Sequence, residues 1–395
     1  MFIQYSQEFK IFIKKIMYFL FPVILAFAIL YFFAYHSGEL TPIEKVVNNQ
    51  LKNERKYLFG RGIVSSESQK YKFLMSAERN PEILMLGSSR ILQVRREMFN
   101  KKYSFYNGGS LIEDAKDLTE FLYLFPEKSQ LDIIILGVDV WWFDEKRIQD
   151  VSLIDALSRP GETSNWKAHL YVNRYLFKQL FQNPVFFVGI IKGKDPFSND
   201  YSLGFDALMN GKGFRGDGSR QYANHIRAMR EKLEYVDRES PPIKDRIKDK
   251  QQPFFSESSF SEEKLDYLKK FLDVCRKRDI MVIGIAPPFS QEVYEELNKS
   301  YYQDLLKQFN KRIPSAFADR GFMYFNYHDL SVVDLNNLYM LDGFHPSETA
   351  MAKILLDIFD SNKINNTNIN NDILADSLKD NLNNPLTTSF EIYFY

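Results

Sequence analysis

The sequence predicts an α/β protein built on a parallel sheet, and three observations predict it. Short apolar runs of strand length recur at residues 83–87 (ILMLG), 131–138 (LDIIILGV) and 280–286 (IMVIGIA), the first breaking at Gly87 and the last at Pro287-Pro288. Each is apolar at nearly every position, as a strand must be when both faces of its sheet are covered. Between and after these runs lie segments with apolar residues at helical spacing, such as Leu265, Leu268, Phe271, Leu272 and Cys275. Strands alternating with helices imply right-handed βαβ units and a parallel sheet.

The amino terminus stands apart from that pattern. Residues 16–35 form an uncharged run rich in Phe, Leu and Ile, about the length that a bilayer-spanning helix needs. Lys10, Lys14 and Lys15 precede it, and Glu39 and Glu44 follow it. The positive-inside bias therefore predicts residues 1–15 in the cytoplasm, a single-pass anchor over 16–35 and the rest outside. A cleaved signal peptide is the competing reading, but the run is long for one and no small-residue cleavage pattern follows. Residues 36–80 turn polar and read as a juxtamembrane connector followed by helix.

The remaining elements follow in order. Residues 103–107 (YSFYN) read as a second strand, and Ser110 with Glu113 makes a capping-box pattern opening a helix through residue 124. After the strand at 131–138, residues 141–260 break the rhythm and read as an insertion. It contains an apolar piece, VFFVGII, too short to span a bilayer and expected to pack in a core, with membrane-surface or partner contact as the second reading. It also holds the Gly-rich GKGFRGDGSRQY, whose Arg215-Gly216-Asp217 is explained by turn chemistry, and a run from Arg227 to Lys250 that alternates in sign like a solvated helix face. Helices at 262–278 and 291–309 flank the 280–286 strand, 322–325 is the final strand, and a last helix runs to 359. Residues 361–395 begin Asn-rich and aperiodic and are expected to form a disordered or loosely attached tail.

Composition bounds the function. The chain has 395 residues with 51 Lys plus Arg against 51 Asp plus Glu, so the basic footprint of a nucleic-acid binder is missing. Its single cysteine, Cys275, lies on an apolar helical face and reads as a core residue.

The chemistry-bearing stretches are two. Residues 83–90 (ILMLGSSR) place Ser88 and Ser89 just past a buried strand, where open α/β sheets bind ligands. Far downstream, residues 341–354 (LDGFHPSETAMAKI) carry Asp342 three residues before His345, ahead of a helix. Asp342 can fix the tautomer of His345, whose other nitrogen can take a proton from a serine. His328 with Asp329 is a weaker pair, since adjacent residues point apart on a strand. His36, His169 and His225 show no metal-ligand spacing.

GSSR at 87–90, YNGGSLIED at 106–114, LGVDVWW at 136–142 and DGFHP at 342–346, in this order and spacing, resemble the four blocks of the SGNH (GDSL-like) hydrolase superfamily. More narrowly, the chain resembles the membrane-anchored branch that includes proteins of alginate O-acetylation and teichoic-acid D-alanylation. The resemblance covers roughly residues 81–360 with a long unmatched middle. It implies a three-layer α/β/α, flavodoxin-like fold and a triad of Ser89, His345 and Asp342, with Ser89 chosen over Ser88 because the family's serine stands third in its block. It implies an oxyanion hole from the backbone of Ser89 and of Gly109, Gly108 being the alternative register. The family's third donor is an asparagine, and here Asp139 stands in its place. A carboxylate has no hydrogen to donate. Asp139 is then protonated by burial, or another donor such as Asn107 replaces it, or acyl transfer is weak or absent. Arg90 is a candidate for binding an anionic group, with salt bridging as its commoner role; Trp141 and Trp142 are candidates for stacking on a sugar, with core burial of at least one of them as the commoner role.

The expected function is a membrane-anchored esterase or O-acyltransferase acting on an ester-linked acyl group, with acetyl the expected one, of a cell-envelope glycan or teichoic-acid-like polymer. It requires no cofactor or metal, and the branch implies an integral-membrane acyltransferase as partner. The alternative is a non-catalytic envelope protein that keeps the fold to bind glycan or such an acyltransferase.

Overall fold

A run such as ILMLG has no polar face to turn toward water, so it must lie between two apolar layers. In the computed structural model it does. The structure describes residues 2–52, 57–149, 151–193, 201–223, 226–227, 241–255, 259–359 and 372–394, and for residues 2–6 the backbone alone. Among these, the strands in chain order are β1 (Tyr57–Phe59), β2 (Ile83–Gly87), β3 (Phe105–Gly109), β4 (Ile133–Gly137), β5 (Tyr201–Leu203), β6 (Lys212–Phe214), β7 (Arg220–Tyr222), β8 (Met281–Ala286) and β9 (Met323–Asn326).

Five of them form a parallel sheet in the order β3-β2-β4-β8-β9. Successive strand residues point to opposite faces, and both faces are buried. Leu84, Leu86, Ile134, Leu136 and Val282 pack with the helices Ser68–Arg79, Ala115–Leu124, Glu262–Lys277 and Gln303–Ala318. Cys275 is buried in that layer, as its helical face predicts. On the other face Ile83, Met85, Ile135, Ile283 and Ile285 meet Ile354, Leu355 and Ile358 of the helix Glu348–Ile358.

That second face corrects the expectation of a loose tail. Residues 360–371 lie outside the described ones, but Ile373, Leu378 and Ile392 are buried against the sheet. Ser347 and Thr349 donate their hydroxyls to the carbonyls of Ser389 and Thr388. A single helix is too narrow to cover this face, and the carboxyl-terminal segment completes it.

Two local expectations also change. The helix expected from Ser110 begins at Ala115, capped by Asp114 with Asp117 closing the capping box; Ser110 instead takes a left-handed turn at φ 67. The helix expected over 291–309 is two, Gln291–Lys299 and Gln303–Ala318, broken where the Ser300 hydroxyl accepts the Tyr302 amide.

The connector and the insertion form one unit. Their short strands pair as a second sheet, β5-β1-β6-β7. Glu39, buried just past the amino-terminal helix, accepts the amides of Gly62, Ile63, Val64 and Phe205, the closest at 2.6 Å. The Gly-rich turn of the insertion docks on edge strand β3: Asn107 N–H donates to Asp217 O at 2.8 Å, and buried Lys72 donates to the carbonyls of Asn107 and Gly218. Covering an exposed strand edge in this way removes a pairing hazard. Arg215 and Asp217 are used internally, Arg215 pairing with Glu348 and Asp217 accepting from Arg96 and Ser219. The charged run falls largely outside the described residues, with Ile243–Lys248 helical.

The helix Phe2–His36 contains the expected anchor and is long and apolar enough to cross a membrane. Most of its large side chains, Phe19 and Phe27 among them, are not covered by protein.

Candidate active site

Counted within the central sheet alone, the strand order is 2-1-3-4-5. Chain connections therefore diverge between β2 and β4, and open α/β sheets hold ligands at such a switch point, past the carboxyl ends of the strands. Ser89 follows β2 by two residues and Asp139 follows β4 by two. The strand can turn here because residue 87 is glycine: a Cβ on it would lie 2.8 Å from the carbonyl oxygen of Gly137. Ser88 then caps a short 3-10 turn, Ser89–Ile91, accepting the amide of Arg90 at 3.3 Å. Ser88 is thus the cap, and Ser89 projects toward the histidine.

Ser89 Oγ lies 2.9 Å from His345 Nε2. On the other side of the ring, Nδ1 lies 2.9 and 2.8 Å from the two carboxylate oxygens of Asp342. Asp342 also accepts the amides of Phe344 and His345, each at 2.8 Å. Burial alone would raise its pKa, but His345 and those amides outweigh it and hold the carboxyl at about 2. A carboxylate only accepts, so Nδ1 carries the hydrogen and Nε2 is left to accept from the serine hydroxyl. The loop is held at both ends: Leu341 N–H donates to His345 O at 2.8 Å, and Ser290 N–H to Gly343 O at 3.1 Å. The three residues that the sequence pairs across more than 250 positions stand in one hydrogen-bonded line.

Arg90 lies beneath this line, only 1% exposed. Its guanidinium donates to Asp139 Oδ1 at 2.8 Å, to the carbonyls of Pro287 and Pro288 at 2.6 and 2.7 Å, and through Nε to Phe344 O at 3.2 Å. Its charge sits 3.9 Å from the Phe289 ring centroid. Of the two roles expected for Arg90, the structure shows the salt bridge and not a site open to an anionic substrate: every guanidinium nitrogen is engaged inside the protein. What sequence reasoning missed is that one side chain joins the ends of β2, β4 and β8 to the histidine loop. The signal was present in the two carboxyl-terminal strand sequences, GVD and APP, but only their adjacency in space makes it readable.

Asp139 is fully buried, and Arg90 is its counter-charge. Burial pushes its carboxyl up, with Arg90 and the Ser88 hydroxyl opposing, and burial likewise pushes the guanidinium down; as a buried pair each group offsets the other's loss of water. With Oδ1 held by Arg90, Asp139 does not present a free donor to an oxyanion. Nor does Asn107: its amide donates to the carbonyls of Ile91 and Val94, both at 2.8 Å, while its oxygen takes the Gly109 N–H at 2.8 Å. Gly109, expected as a donor, is thus committed, although its lack of a side chain is needed, since a Cβ would lie 2.8 Å from Leu92. Of the expected donors, the Ser89 amide has no acceptor among the described residues.

Trp141 and Trp142 are both buried, the core role expected for at least one of them, and the sugar-stacking role is set aside. Trp141 packs among Phe254, Phe289 and Phe344. His328 is buried against Phe289 and Phe309, and burial pushes its pKa well down, so it is a neutral packing residue. His169 stacks on Tyr31 and His36 on Phe32; His225 lies outside the described residues. Among the described residues, no group of three His, Cys, Asp or Glu side chains is placed to hold a metal ion. No protein-family model matches the chain, and no curated protein matches it.

Proposed function

We propose that the chain is a membrane-anchored acyl-transfer protein of SGNH type. The observation that carries this reading is the hydrogen-bonded line Ser89–His345–Asp342, with 2.9 Å between nucleophile and base. In the first half-reaction His345 Nε2 takes the Ser89 proton as Oγ bonds to the carbonyl carbon of an ester. The carbon–oxygen bond to the leaving alcohol breaks, and that alcohol receives the proton from His345. In the second, water or a glycan hydroxyl gives its proton to His345 as its oxygen bonds to the acyl carbon; the bond from that carbon to Ser89 Oγ breaks, and His345 returns the proton to Oγ. Asp342 holds the tautomer and offsets the charge on the imidazolium.

Three features support the family assignment beyond the triad. The strand order is that of flavodoxin-like folds, the nucleophile turn sits at the switch point, and the helix carrying residues 16–35 would tether the site to a membrane. With the amino terminus inside, the accessible esters are those of envelope polymers, glycan or teichoic acid, acetyl being the preferred group. An integral-membrane acyltransferase would supply the acyl donor.

A second reading, a non-catalytic protein that binds glycan or the acyltransferase, is favoured by one specific arrangement. Asp139 is tied to Arg90, and the Asn107 and Gly109 donors are occupied, so stabilisation of an oxyanion falls largely to the Ser89 amide. Turnover of 4-nitrophenyl acetate by the full chain in detergent separates the two. An enzyme loses on the order of 10³-fold or more in rate on Ser89→Ala; a binding protein shows a background rate insensitive to that change.

A further inference from the structure

We infer that the helices Trp166–Gln182 and Val185–Lys192 of the insertion enter the membrane from the catalytic-domain side, making a second, monotopic membrane contact beside the anchor; this rests on the anchor reading of Phe2–His36.

The depth follows from which residues touch. Lys14 and Lys15 mark one edge of the apolar run, and a span of about 20 residues starting at residue 16 reaches to residue 35. Helix Trp166–Gln182 lies against that span from near its domain end to just past its middle. The ring of Tyr31 stacks on His169 at 5.7 Å, and one cleft is lined by Pro22, Val23 and Phe27 from the anchor together with Leu170, Arg174 and Phe177 from the insertion. From the domain-side edge of the span at residue 35 to Pro22 is roughly 20 Å along a helix axis, about two-thirds of the hydrocarbon thickness of a bilayer. A helix that accompanies the anchor over this stretch enters the membrane with it. The second helix is joined to the same unit, with Phe33 against Phe187 at 4.8 Å and Leu30 and Ala34 buried with Phe186 and Ile190.

The surface that remains has the chemistry of a lipid interface. Leu170, Phe177, Leu180, Phe181, Val185 and Ile191 are all exposed, Phe181 at 73% and Val185 at 72%. In water such a concentration of uncovered apolar surface is costly; in a leaflet it is solvated. Between residues 166 and 192 the charged side chains are Lys167, Arg174, Lys178 and Lys192, with no Asp or Glu. An apolar face carrying Trp, Phe and Leu beside an exclusively basic polar face is the pattern of helices that lie in an interface containing anionic lipid. The long basic stems let the charged heads reach headgroup level. The notional core segment VFFVGII is therefore half core and half membrane surface, its buried residues facing the anchor and its exposed ones the lipid.

The test uses the full chain in vesicles of phosphatidylcholine and phosphatidylglycerol, spin-labelled through Phe181→Cys, Val185→Cys, Phe19→Cys on the anchor, or Tyr123→Cys on the catalytic domain. Cys275 is buried and stays unlabelled. The collision ratio of oxygen to a water-soluble nickel complex is expected to be severalfold higher at 181 and 185 than at 123, and similar in kind to that at 19. Water-like ratios at 181 and 185 with a lipid-like ratio at 19 would overturn the inference and leave the anchor standing. Water-like ratios at all four positions would remove the anchor reading and this inference with it. Shielding of 181 and 185 from both reagents would show a second copy of the chain covering the hairpin, which also overturns it.

Discussion

Arg90 and Asp139 form an ion pair, Nη1 to Oδ1 2.8 Å, in which neither side chain reaches solvent. It lies where the resemblance placed an oxyanion donor, and it converts that position from chemistry to architecture. Removing one member strands the other's charge. Asp139→Ala is expected to cost about 3–5 kcal/mol in urea unfolding. Asp139→Asn, which keeps an acceptor for Arg90, should cost less and should not raise esterase activity, because its side chain remains tied to the guanidinium. A gain in activity would show that the position serves the reaction directly.

The triad itself is expected to be separable from stability. Ser89→Ala should change the unfolding free energy by less than about 1 kcal/mol, since Ser89 is only partly buried and its principal contact is His345. Ser88→Ala removes a cap and should cost about 1 kcal/mol while leaving the Ser89–His345 contact in place. Chemical unfolding of the two variants checks the contrast.

Asp342 makes a pH prediction whose sign is fixed by its depressed pKa. Its carboxyl titrates at about 2 in the folded chain against an ordinary 3.8. The stability it contributes is therefore fully present above about pH 4 and is lost as pH falls toward 2. The expected amount is about 2 kcal/mol. Unfolding free energies followed from pH 5 to pH 2 should fall less steeply in Asp342→Asn than in the parent chain.

Glu39 holds the end of the amino-terminal helix to the second sheet through four amides, Gly62, Ile63, Val64 and Phe205. Glu39→Ala leaves these donors without their acceptor, at an expected cost of about 3 kcal/mol or more. Limited proteolysis between residues 57 and 64 should accelerate in this variant before the central sheet is affected.

The carboxyl-terminal segment should behave as part of the core. Deleting residues 372–394 uncovers the sheet face now closed by Ile373, Leu378 and Ile392, a loss of roughly 5 kcal/mol at the usual value per buried aliphatic side chain. A lowered urea midpoint, with aggregation on dilution, checks it.

The central sheet was legible because its strands are apolar on both faces, and β2, β4 and β8 fall within residues of where ILMLG, LDIIILGV and IMVIGIA place them. The contact of Asp342 with His345 was legible because DGFHP puts carboxylate and imidazole three residues apart; that Ser89 and not Ser88 completes the hydrogen-bonded line was read from the resemblance. The second sheet was not. Its strands are three residues long and contributed by segments more than 140 residues apart, as in the pairing of Tyr57 with Tyr201, so no local periodicity announces them. The tail failed for another reason: its anchoring residues, Ile373, Leu378 and Ile392, are widely spaced among polar ones, and only a sheet face left open by the rest of the chain gives them somewhere to go. For Arg90 the sequence offered anion binding or, more commonly, salt bridging, but not its depth, because the carbonyls of Pro287, Pro288 and Phe344 that bury it carry no side-chain signature.

The most direct test of the central claim is covalent labelling of the full chain with a serine-directed fluorophosphonate, mapped by mass spectrometry, with Ser89→Ala and Ser88→Ala alongside. The account predicts label on Ser89 that persists in Ser88→Ala and disappears in Ser89→Ala. Absence of label in the folded parent chain, or label indifferent to Ser89→Ala, would contradict an activated nucleophile at the end of β2.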